Sequence, residues 1–547
     1  VEYWTIDALF AHEDMTLTAS LYSMGGERIS RGDEEKDEEK SDASIHRIDN
    51  EQEAKAIVES IRQETYRVED VKTRKKTRKP LPPYITSTLQ QDASRIYGFT
   101  GDRTMRAAQA LYEGVELGDE TVGLITYMRT DSVRVADEAI VHTRDLIRET
   151  YGRKYLPDKA NRYRSKKGAQ DAHEAIRPTQ LNVDHSPEKV KKYLNTDQAK
   201  IYDLIWKRFV ASQMPPAEYL STTIEITGGR FVFRAQGSVL TFDGYSKVYR
   251  DENTAADQEL PHVEKGIDMD LREVTPDQHF TRPPARYNDA SLIKTLEAEG
   301  IGRPSTYASI IKTLVDRDYV ERRERRFYTT ELGEVVNAVL VNTFPDIFEV
   351  GFTAGVEERL DEVEEGNADW VQLLRDFYQP FSKDLTDAPK NFGQVLKNLQ
   401  QETGEACPEC GKPLVRKWGR TRWFIACSGY PDCTYTKPSE DVETVETDEV
   451  CEKCGAKMVI KEGRYGPFMA CSAYPKCRNA KPLPTGIKCP LPDCDGDVVQ
   501  RRSKRGKVFY GCSKYPDCNF VAWDPPVPEK CPDCGSPFLV RKDYKRK

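Results

Sequence analysis

The chain has 547 residues, which is too long for a single hydrophobic core and predicts roughly three or four domains. Hydrophobic residues make up 38% of the chain and charged residues 31%, as in a soluble globular protein. No apolar run reaches about 18 residues, so no membrane-spanning helix is expected.

The net charge of −8 does not by itself indicate a nucleic-acid-binding protein, and the distribution of charge is more informative. Acidic residues are concentrated in two runs, at 32–42 and 439–450, which we expect to be solvated loops or linkers. Basic runs lie elsewhere, and several are interleaved with aromatic residues. They occupy residues 72–80, 321–327, 501–507 and 542–547. Each of these runs can contribute to a positive surface.

The first 80 residues alternate strand-like and polar stretches. The opening VEYWTIDALF has neither the basic leader nor the cleavage site of a signal peptide, and it predicts a strand inside a domain. The last residues, RKDYKRK, follow closely on a cysteine pair. We therefore expect the chain to be a fragment of a longer protein. Apolar residues at helical spacing predict one helix here, over 50–63.

Prolines within residues 80–83 predict a crossing between domains. Ser87 and Thr88 precede apolar residues at helical spacing and predict a helix that begins near residue 87. Residues 102–117 predict a second amphipathic helix, whose apolar face we expect to be in a core. That face consists of Met105, Ala108, Leu111 and Tyr112.

The next segment, GLITYMRTDS at 123–132, places Tyr127 two residues before Arg129. A tyrosine phenol is a weak nucleophile at neutral pH because its ordinary pKa is about 10. A neighbouring cation favours the phenolate and can neutralise a phosphate under attack. Tyr127 is therefore a candidate site for a phosphotyrosine link, although most of the 27 tyrosines are expected to be packing or surface residues.

A predicted helix at 136–150 and a basic loop at 161–172 lead into the segment HEAIRPT. In this segment His173 and Arg177 are four residues apart. If the segment is helical, the two side chains share a face and can both donate to one phosphate. A purely structural role for the histidine is the alternative.

Residues 220–290 predict strands, with a Gly-Gly turn between two alternating runs. Residues 288–320 then predict a helix, a turn and a second helix. Gly300 and Gly302 are expected to end the first helix, and Pro304 to lie in the first turn of the second.

Arg303, Ser305 and Thr306 crowd the start of that second helix. Backbone N–H groups, hydroxyls and a guanidinium at a helix N-terminus can bind an anion. Ordinary capping by one of the two hydroxyls is the alternative. Residues 320–330 predict a basic hairpin, and a helix-turn-helix followed by such a wing favours contact with DNA.

All 14 cysteines lie after residue 406, which marks a domain boundary. They form three complete sets of four and one incomplete set, with a period of about 40 residues. The sets are Cys407, Cys410, Cys427 and Cys433; Cys451, Cys454, Cys471 and Cys477; Cys489, Cys494, Cys512 and Cys518; and Cys531 with Cys534. Thiolate pairs at this spacing predict four-cysteine zinc ribbons, whose metal supplies much of the folding energy. Disulfides would require an oxidising compartment, for which no targeting signal is present.

Aromatic residues recur at fixed places in the predicted ribbons. One group precedes the third cysteine of each set: Trp423, Phe424, Phe468, Phe509 and Tyr510. A second group lies between the third and fourth cysteines, each followed by proline: Tyr430, Tyr474 and Tyr515. Such rings can stack on unpaired bases, or they can be the small core of each ribbon. A zinc scaffold for protein contacts is a third interpretation.

In combination, these segments resemble a bacterial type IA DNA topoisomerase I over essentially the whole chain. The resemblance depends on GLITYMRTDS, PPYITSTLQQDASR, HEAIRPT, GIGRPSTYASII, FTAGVEERLD at 352–361 and the ribbons. The methionine after Tyr127 and the ribbons favour topoisomerase I over topoisomerase III or reverse gyrase.

The resemblance implies a multidomain α+β fold, a portion of the family's toroid followed by tandem zinc ribbons. Residues 1–85 and 214–286 would form a β-rich arch, 86–213 a helical domain that carries the nucleophile, and 287–400 a winged-helix-like DNA-binding domain. The ribbons would occupy 405–438, 449–484 and 487–524, with a partial fourth at 529–547.

The implied reaction is an ATP-independent transesterification that relaxes negatively supercoiled DNA. Tyr127 matches the family's nucleophile and Arg129 its neighbouring arginine, while His173 matches a histidine that contacts phosphate. Arg303, Ser305 and Thr306 match strand-binding residues. Single-stranded or under-wound DNA would be the substrate, and the protein would be a cytoplasmic, nucleoid-associated monomer without a membrane partner.

Two other classes of protein compete with this interpretation. One is a non-catalytic adaptor whose ribbons hold single-stranded DNA or a partner such as RNA polymerase. The other is a metal-dependent nuclease, which would leave free ends without a protein link.

The family's TOPRIM domain, with its Mg²⁺-binding acidic cluster, has no counterpart in these residues and would precede Val1. We therefore predict that the 547-residue polypeptide alone does not relax plasmid DNA. Gel electrophoresis of supercoiled plasmid with Mg²⁺ checks this, and robust relaxation would contradict it.

Overall fold

The computed structural model describes residues 1–30, 32, 44–165, 173–250, 258–419, 423–438, 445–463, 466–474, 476–491, 493–502, 508–532 and 538–541. The chain divides into two compact units, Val1–Pro389 and Lys390–Lys547. Among the helices in this description, none has the length and apolar character needed to cross a bilayer.

The first unit begins with an eight-stranded sheet in which all neighbours except β3 and β4 are antiparallel. Its strands are β1 (Glu2–His12), β2 (Met15–Met24), β3 (Glu27–Ile29), β4 (Ile45–His46), β5 (Tyr66–Arg78), β8 (Ala217–Gly228), β9 (Phe231–Phe242) and β10 (Asp268–Phe280). The strand order is β1-β10-β5-β8-β9-β2-β3-β4, and β1 also pairs with β2. Six of the strands therefore close on themselves into a ring.

Alternation in the sequence determines which side of this sheet is buried. Along β1 the residues Ile6, Ala8 and Phe10 are almost fully buried. The Phe10 ring packs edge-on against Tyr66 and Phe233, with ring centroids 5.1 and 5.2 Å away. Helix α1 (Glu51–Ile61) completes this core, since its Ala54, Ile57, Val58 and Ile61 are all buried.

A helical region is inserted between β5 and β8. It contains α2 (Thr86–Tyr97), α3 (Gly101–Glu113), α4 (Asp137–Tyr151), α5 (Pro187–Val190) and α6 (Thr196–Ser212), with a hairpin of β6 (Val115–Leu117) and β7 (Glu120–Val122). The predicted helix over 102–117 ends earlier, at Glu113. Its expected core residue Tyr112 is 41% exposed, so this part of the prediction was wrong.

A second helical region follows β10. It contains α7 (Asp289–Ala298), α8 (Tyr307–Asp316), α9 (Glu331–Thr343), α10 (Val350–Glu364) and α11 (Trp370–Asn398), with a hairpin of β11 (Val320–Arg323) and β12 (Arg326–Thr329). The predicted glycine stop after the first helix is confirmed, because Gly300 and Gly302 have φ values of +69° and +82°. The predicted position of Pro304 was wrong, since it lies in the turn before α8.

The second unit contains three four-stranded antiparallel sheets and a final strand pair. The strands are β13 (Gln401–Ala406), β14 (Pro413–Trp418), β15 (Trp423–Cys427) and β16 (Thr436–Pro438); β17 (Val445–Val450), β18 (Lys457–Gly463), β19 (Gly466–Cys471) and β20 (Ala480–Pro482); β21 (Pro484–Lys488), β22 (Asp497–Arg502), β23 (Val508–Cys512) and β24 (Val521–Ala522); and β25 (Pro526–Val527) with β26 (Leu539–Val540). Phe538, just before β26, is buried against Phe520 and Tyr510 of the third sheet region.

A buried polar cluster lies where the eight-stranded sheet meets the first helical region. Asp92 of α2 accepts hydrogen bonds from the hydroxyls of Tyr84 (2.6 Å) and Tyr249. Arg208 of α6 donates to the Tyr249 hydroxyl (3.0 Å) and lies 3.4 Å from the Asp92 carboxylate. Burial disfavours the charged carboxylate, but the two hydroxyls and the Arg208 charge outweigh it and hold the pKa of Asp92 below its ordinary value of 3.8.

The Asp92→Asn substitution should therefore reduce stability in a pH-dependent way. A depressed pKa adds stability that is present above the unfolded-state pKa and is lost as pH falls through the folded-state value. We expect a loss of about 3–5 kcal/mol near neutral pH, because Arg208 loses its buried counter-charge. Urea unfolding followed by circular dichroism should show this difference shrinking below about pH 4. A difference independent of pH would contradict this account.

Candidate functional site

Tyr127 lies in a segment whose backbone is fixed by residues distant in sequence. The residues before and after it, Thr126 and Met128, are both held by hydrogen bonds. The Thr126 N–H donates to the Arg177 carbonyl (2.9 Å), and its hydroxyl donates to the Ala175 carbonyl (2.7 Å). The Tyr127 side chain itself is 39% exposed. A reactive ring is thereby presented to solvent from a rigid frame.

Thr86, the first residue of α2, is the main clamp on this segment. Its fully buried hydroxyl donates to the Met128 carbonyl (2.7 Å) and accepts from the Thr130 N–H (2.9 Å). Its own N–H donates to the Thr130 carbonyl (2.9 Å). Two residues earlier, the Tyr84 carbonyl accepts from the Ile176 N–H (2.8 Å). One short stretch of chain thus holds both the Tyr127 and the His173 segments.

Two aromatic rings flank Tyr127. The Tyr112 ring meets it edge-on, with centroids 5.4 Å apart, and the His173 ring lies 5.8 Å away. The His173 Nδ1 atom is buried and has no hydrogen-bond partner in the described residues. Arg129 is exposed and has no ion-pair partner in the same part of the chain. A ligand beside the phenol could therefore form a hydrogen bond with His173 and an ion pair with Arg129.

The segment that carries His173 and Arg177 is extended, so the helix that its spacing allowed is not formed. Isolated bridges pair Ile176 with Tyr84 and Pro178 with Ile125. In an extended chain, residues four apart are separated by about 13 Å. Arg177 instead donates to the Glu174 carboxylate (2.6 Å), and both side chains are largely buried. The geometry brings His173 to Tyr127 and directs Arg177 into an ion pair.

The turn before α8 has a different arrangement from the predicted anion site. The Thr306 hydroxyl accepts from the N–H of Arg303 (2.8 Å), three residues before it, and makes no side-chain cap bond at the start of α8. The Arg303 guanidinium pairs with Asp361 (2.9 Å) and lies 3.6 Å from Glu357, both on α10. Ser305 is exposed. An anion would have to displace these carboxylates before it could bind Arg303.

A cavity of about 520 Å³ joins these two regions. It is lined by Ser87 and Thr130 from the Tyr127 side and by Arg303 from the other. The Ser87 hydroxyl is buried and has no partner among the described atoms. The predicted basic wing does not line this cavity. Its Arg322 pairs with Asp289 of α7 at 2.8 Å.

Each complete cysteine set of the second unit converges on one point. Within each set the four sulfur atoms lie within 4.8 Å of one another. The Cys410–Cys427 and Cys407–Cys433 sulfur pairs are 3.3 and 3.7 Å apart. Four sulfurs at about 2.3 Å from zinc would be about 3.8 Å apart, so the sets fit a tetrahedral zinc ion.

The incomplete fourth set is only partly described. Cys531 lies in the described chain, while Cys534 lies outside it. The metal-binding groups found among the described histidine, cysteine and acidic residues are the three complete cysteine sets.

The two groups of ribbon aromatics differ in exposure. Tyr430, Tyr474 and Tyr515 are 68%, 62% and 61% exposed. Cations lie near two of these rings: Lys461 is 5.9 Å from the Tyr474 ring, and Arg501 is 5.7 Å from the Tyr515 ring. The other group is half-buried: Trp423, Phe424, Phe468, Phe509 and Tyr510. The first group is therefore the better candidate for base stacking, and the second for packing.

A family model described as DNA topoisomerase matches residues 1–375. The chain belongs to the bacterial DNA topoisomerase I family. A model described as the topoisomerase DNA-binding C4 zinc finger matches 404–442, 448–486, 486–527 and 528–547.

Relatives match along nearly the whole chain. DNA topoisomerase 1 of Campylobacter jejuni is 38% identical over 544 residues, which cover 99% of this chain and 70% of that protein. DNA topoisomerase 1 of Treponema pallidum is 39% identical over 547 residues, 100% of this chain and 66% of that protein. The full-length topoisomerase I structure from Thermotoga maritima matches with a TM-score of 0.57 at 31% identity, covering 93% of this chain and 68% of that one. The chain spans about two thirds of the length of these relatives.

Several residues of the site were missed by sequence reasoning. Thr86 appeared only within the quoted segment PPYITSTLQQDASR, and Tyr112 was assigned to a core. Glu174 was not considered as the partner of Arg177. The Thr-Ser-Thr run at 86–88 was a usable signal, since hydroxyls at a domain crossing often bind backbone groups.

Zinc analysis by mass spectrometry tests the ligand sets. We expect three zinc ions per chain, and two after Cys427→Ser, because a structural site needs all four ligands. Chelation should unfold the ribbons while the helices of the first unit persist. Cys531→Ser is the matched control and should leave three ions. An unchanged count in the Cys427 variant would refute the grouping.

Proposed function

We propose that this protein contributes the nucleophile and much of the DNA-binding surface of a type IA topoisomerase, which relaxes negatively supercoiled DNA without ATP. The observation that carries the proposal is Tyr127, exposed on a backbone clamped at both neighbours and placed beside His173. A reacting group held on a fixed backbone can be kept in one orientation toward the phosphate that it attacks.

The proposed chemistry exchanges one phosphoester for another. The Tyr127 oxygen attacks a backbone phosphorus of single-stranded DNA, and a bond forms between that oxygen and the 5′-phosphate. The bond from phosphorus to the 3′ oxygen breaks, and the proton lost by the phenol is balanced by the proton gained at the 3′-hydroxyl. No water or oxidant is consumed. The reverse attack by the 3′-hydroxyl reseals the strand after another strand has passed.

The neighbouring groups have complementary roles in this proposal. Arg129, exposed and without an ion-pair partner in the described chain, would offset the growing charge on the phosphate. The ring of His173 would donate to a phosphate oxygen, and its orphaned Nδ1 supports a ligand contact there. Because Arg177 is paired with Glu174, it would orient that segment and contact DNA only if the pair opens.

Arg303, Ser305 and Thr306 would bind the strand at the far side of the cavity. Ser305 is available as the structure stands. Arg303 would have to exchange its carboxylate partners on α10 for a phosphate, which makes strand binding and movement of α10 coupled events.

Mg²⁺, which the family resemblance implies, does not fit the described residues. The groups found there that could share an ion are the three cysteine sets, and none is made of carboxylates. We therefore derive no step through magnesium from this chain. Its site would belong to a part of the protein outside the described residues.

The ribbons would hold single-stranded DNA. The exposed rings of Tyr430, Tyr474 and Tyr515 support stacking on unpaired bases. A contact with RNA polymerase, a monomeric state and a cytoplasmic, nucleoid-associated location follow from the resemblance alone.

Trapping of a covalent adduct tests the nucleophile and separates the enzyme from a DNA-binding adaptor. Full-length protein should retain a 3′-labelled oligonucleotide on a denaturing gel, because the 5′-phosphate of the labelled fragment is bound to tyrosine. The Tyr127→Phe variant should lose the band entirely. Tyr112→Phe, which changes the adjacent ring, is the control and should keep it. A persistent band with Tyr127→Phe would show that another residue is the nucleophile.

Substitution of the exposed ribbon tyrosines tests the binding surface. Stacking contributes about 1–3 kcal/mol per base, so each change of Tyr430, Tyr474 or Tyr515 to alanine should weaken single-strand affinity by about fivefold or more. Fluorescence anisotropy measures this. Tyr378→Ala, an equally exposed tyrosine of α11, should have no effect. Unchanged affinity in all three ribbon variants would favour the protein-contact role.

A further inference from the structure

We infer that the buried cluster of Tyr84, Asp92, Arg208 and Tyr249 positions the Tyr127 segment for cleavage. The position of the eight-stranded sheet against the first helical region thereby controls the placement of the Tyr127 side chain. This inference rests on the proposed function. It assigns positioning roles to residues that lie outside the cleavage site itself.

The cluster joins two segments that pack between the sheet and the first helical region. The first, residues 79–85, connects β5 to α2 and carries Tyr84. The second follows β9 on the way to β10 and carries Tyr249, whose ring packs in the helical core. Arg208 spans the two, since its Nε donates to the Pro82 carbonyl (2.7 Å) while its Nη1 donates to the Tyr249 hydroxyl (3.0 Å). A movement of the sheet that displaces either segment therefore acts on this cluster.

The same cluster is continuous with the cleavage site through Tyr84. Its side chain belongs to the cluster, whereas its carbonyl accepts from the Ile176 N–H in the segment that carries His173. Two residues later, the Thr86 hydroxyl clamps Met128 and Thr130 on the far side of Tyr127. Two hydrogen bonds through Asp92 thus connect Tyr249 to Tyr84, and a third, from Thr86 two residues along the chain, reaches the backbone beside Tyr127.

The composition of the cluster favours positioning over stability. A carboxylate and a guanidinium are buried together with two phenols, where apolar side chains of similar volume would often be as stable or more stable. The polar groups add contacts of fixed geometry. Asp92 accepts a hydrogen bond from each tyrosine hydroxyl. The Arg208 guanidinium lies over both rings, 4.8 Å from the Tyr84 centroid and 5.1 Å from the Tyr249 centroid. Such a network holds the Tyr84 ring in one place. A displacement of about 1 Å at a reacting group can reduce its rate about 100-fold.

The test compares Tyr249→Phe with Tyr202→Phe in the full-length protein. Tyr202 also lies in the helical core and is fully buried, but its hydroxyl donates to the His185 carbonyl (2.8 Å) and, within the described part of the chain, makes no hydrogen bond to the cluster. Both variants lose one hydroxyl from a buried tyrosine. Only Tyr249→Phe alters the link to Tyr84.

Two quantities are measured on a single-stranded oligonucleotide: the rate of adduct formation at saturating protein, and the dissociation constant. We expect Tyr249→Phe to slow adduct formation by about 10- to 100-fold with affinity unchanged within about twofold, since only positioning is lost. Tyr202→Phe should form the adduct at the wild-type rate. A wild-type rate for Tyr249→Phe, or an equal loss in both variants, would overturn the inference.

Two further observations keep the test decisive. If Tyr249→Phe unfolds, Tyr84→Phe removes the other hydroxyl bound to Asp92 and should show the same split between rate and affinity. If Tyr84→Phe does not show this split between rate and affinity, the inference fails. Failure of the wild-type protein to form any adduct would refute the proposed function instead, and is distinguishable from both results.

Discussion

A single buried hydroxyl, that of Thr86, holds the part of the structure on which the proposed chemistry depends. It binds the backbone on the far side of Tyr127, while the chain just before it binds the segment that carries His173. Each such hydrogen bond contributes only about 1 kcal/mol to stability. Its larger effect is geometric, because an exposed phenol can remain in one position only when its backbone cannot move.

The sequence predicted the parts of the site that depend on local patterns. Patterns of a few residues were enough to predict three features: Tyr127 beside Arg129, the glycine stop after α7, and the cysteine sets. The extended form of HEAIRPT was not predictable in this way, because it depends on pairing with Tyr84 and Ile125, both distant in sequence. The same holds for Arg303, whose partner Asp361 lies 58 residues further along the chain. Tertiary pairing determined these features.

The two units maintain their structure by different means. In the first, large apolar cores enclose a few polar groups that fix the cleavage segment. In the second, each ribbon buries only a few residues around its cysteines, so zinc replaces the missing apolar core. This division explains why the ribbons can display a tyrosine each without loss of their fold, and why changes there should affect DNA binding before they affect cleavage.

The central claim is that Tyr127 becomes bonded to DNA. Mass spectrometry of peptides from the trapped adduct of full-length protein with an oligonucleotide tests it most directly. The account predicts one modified residue, Tyr127, that carries the 5′-phosphate of the cleaved fragment. A nucleotide bound to any other residue, or cleaved DNA with no modified peptide, would contradict the account.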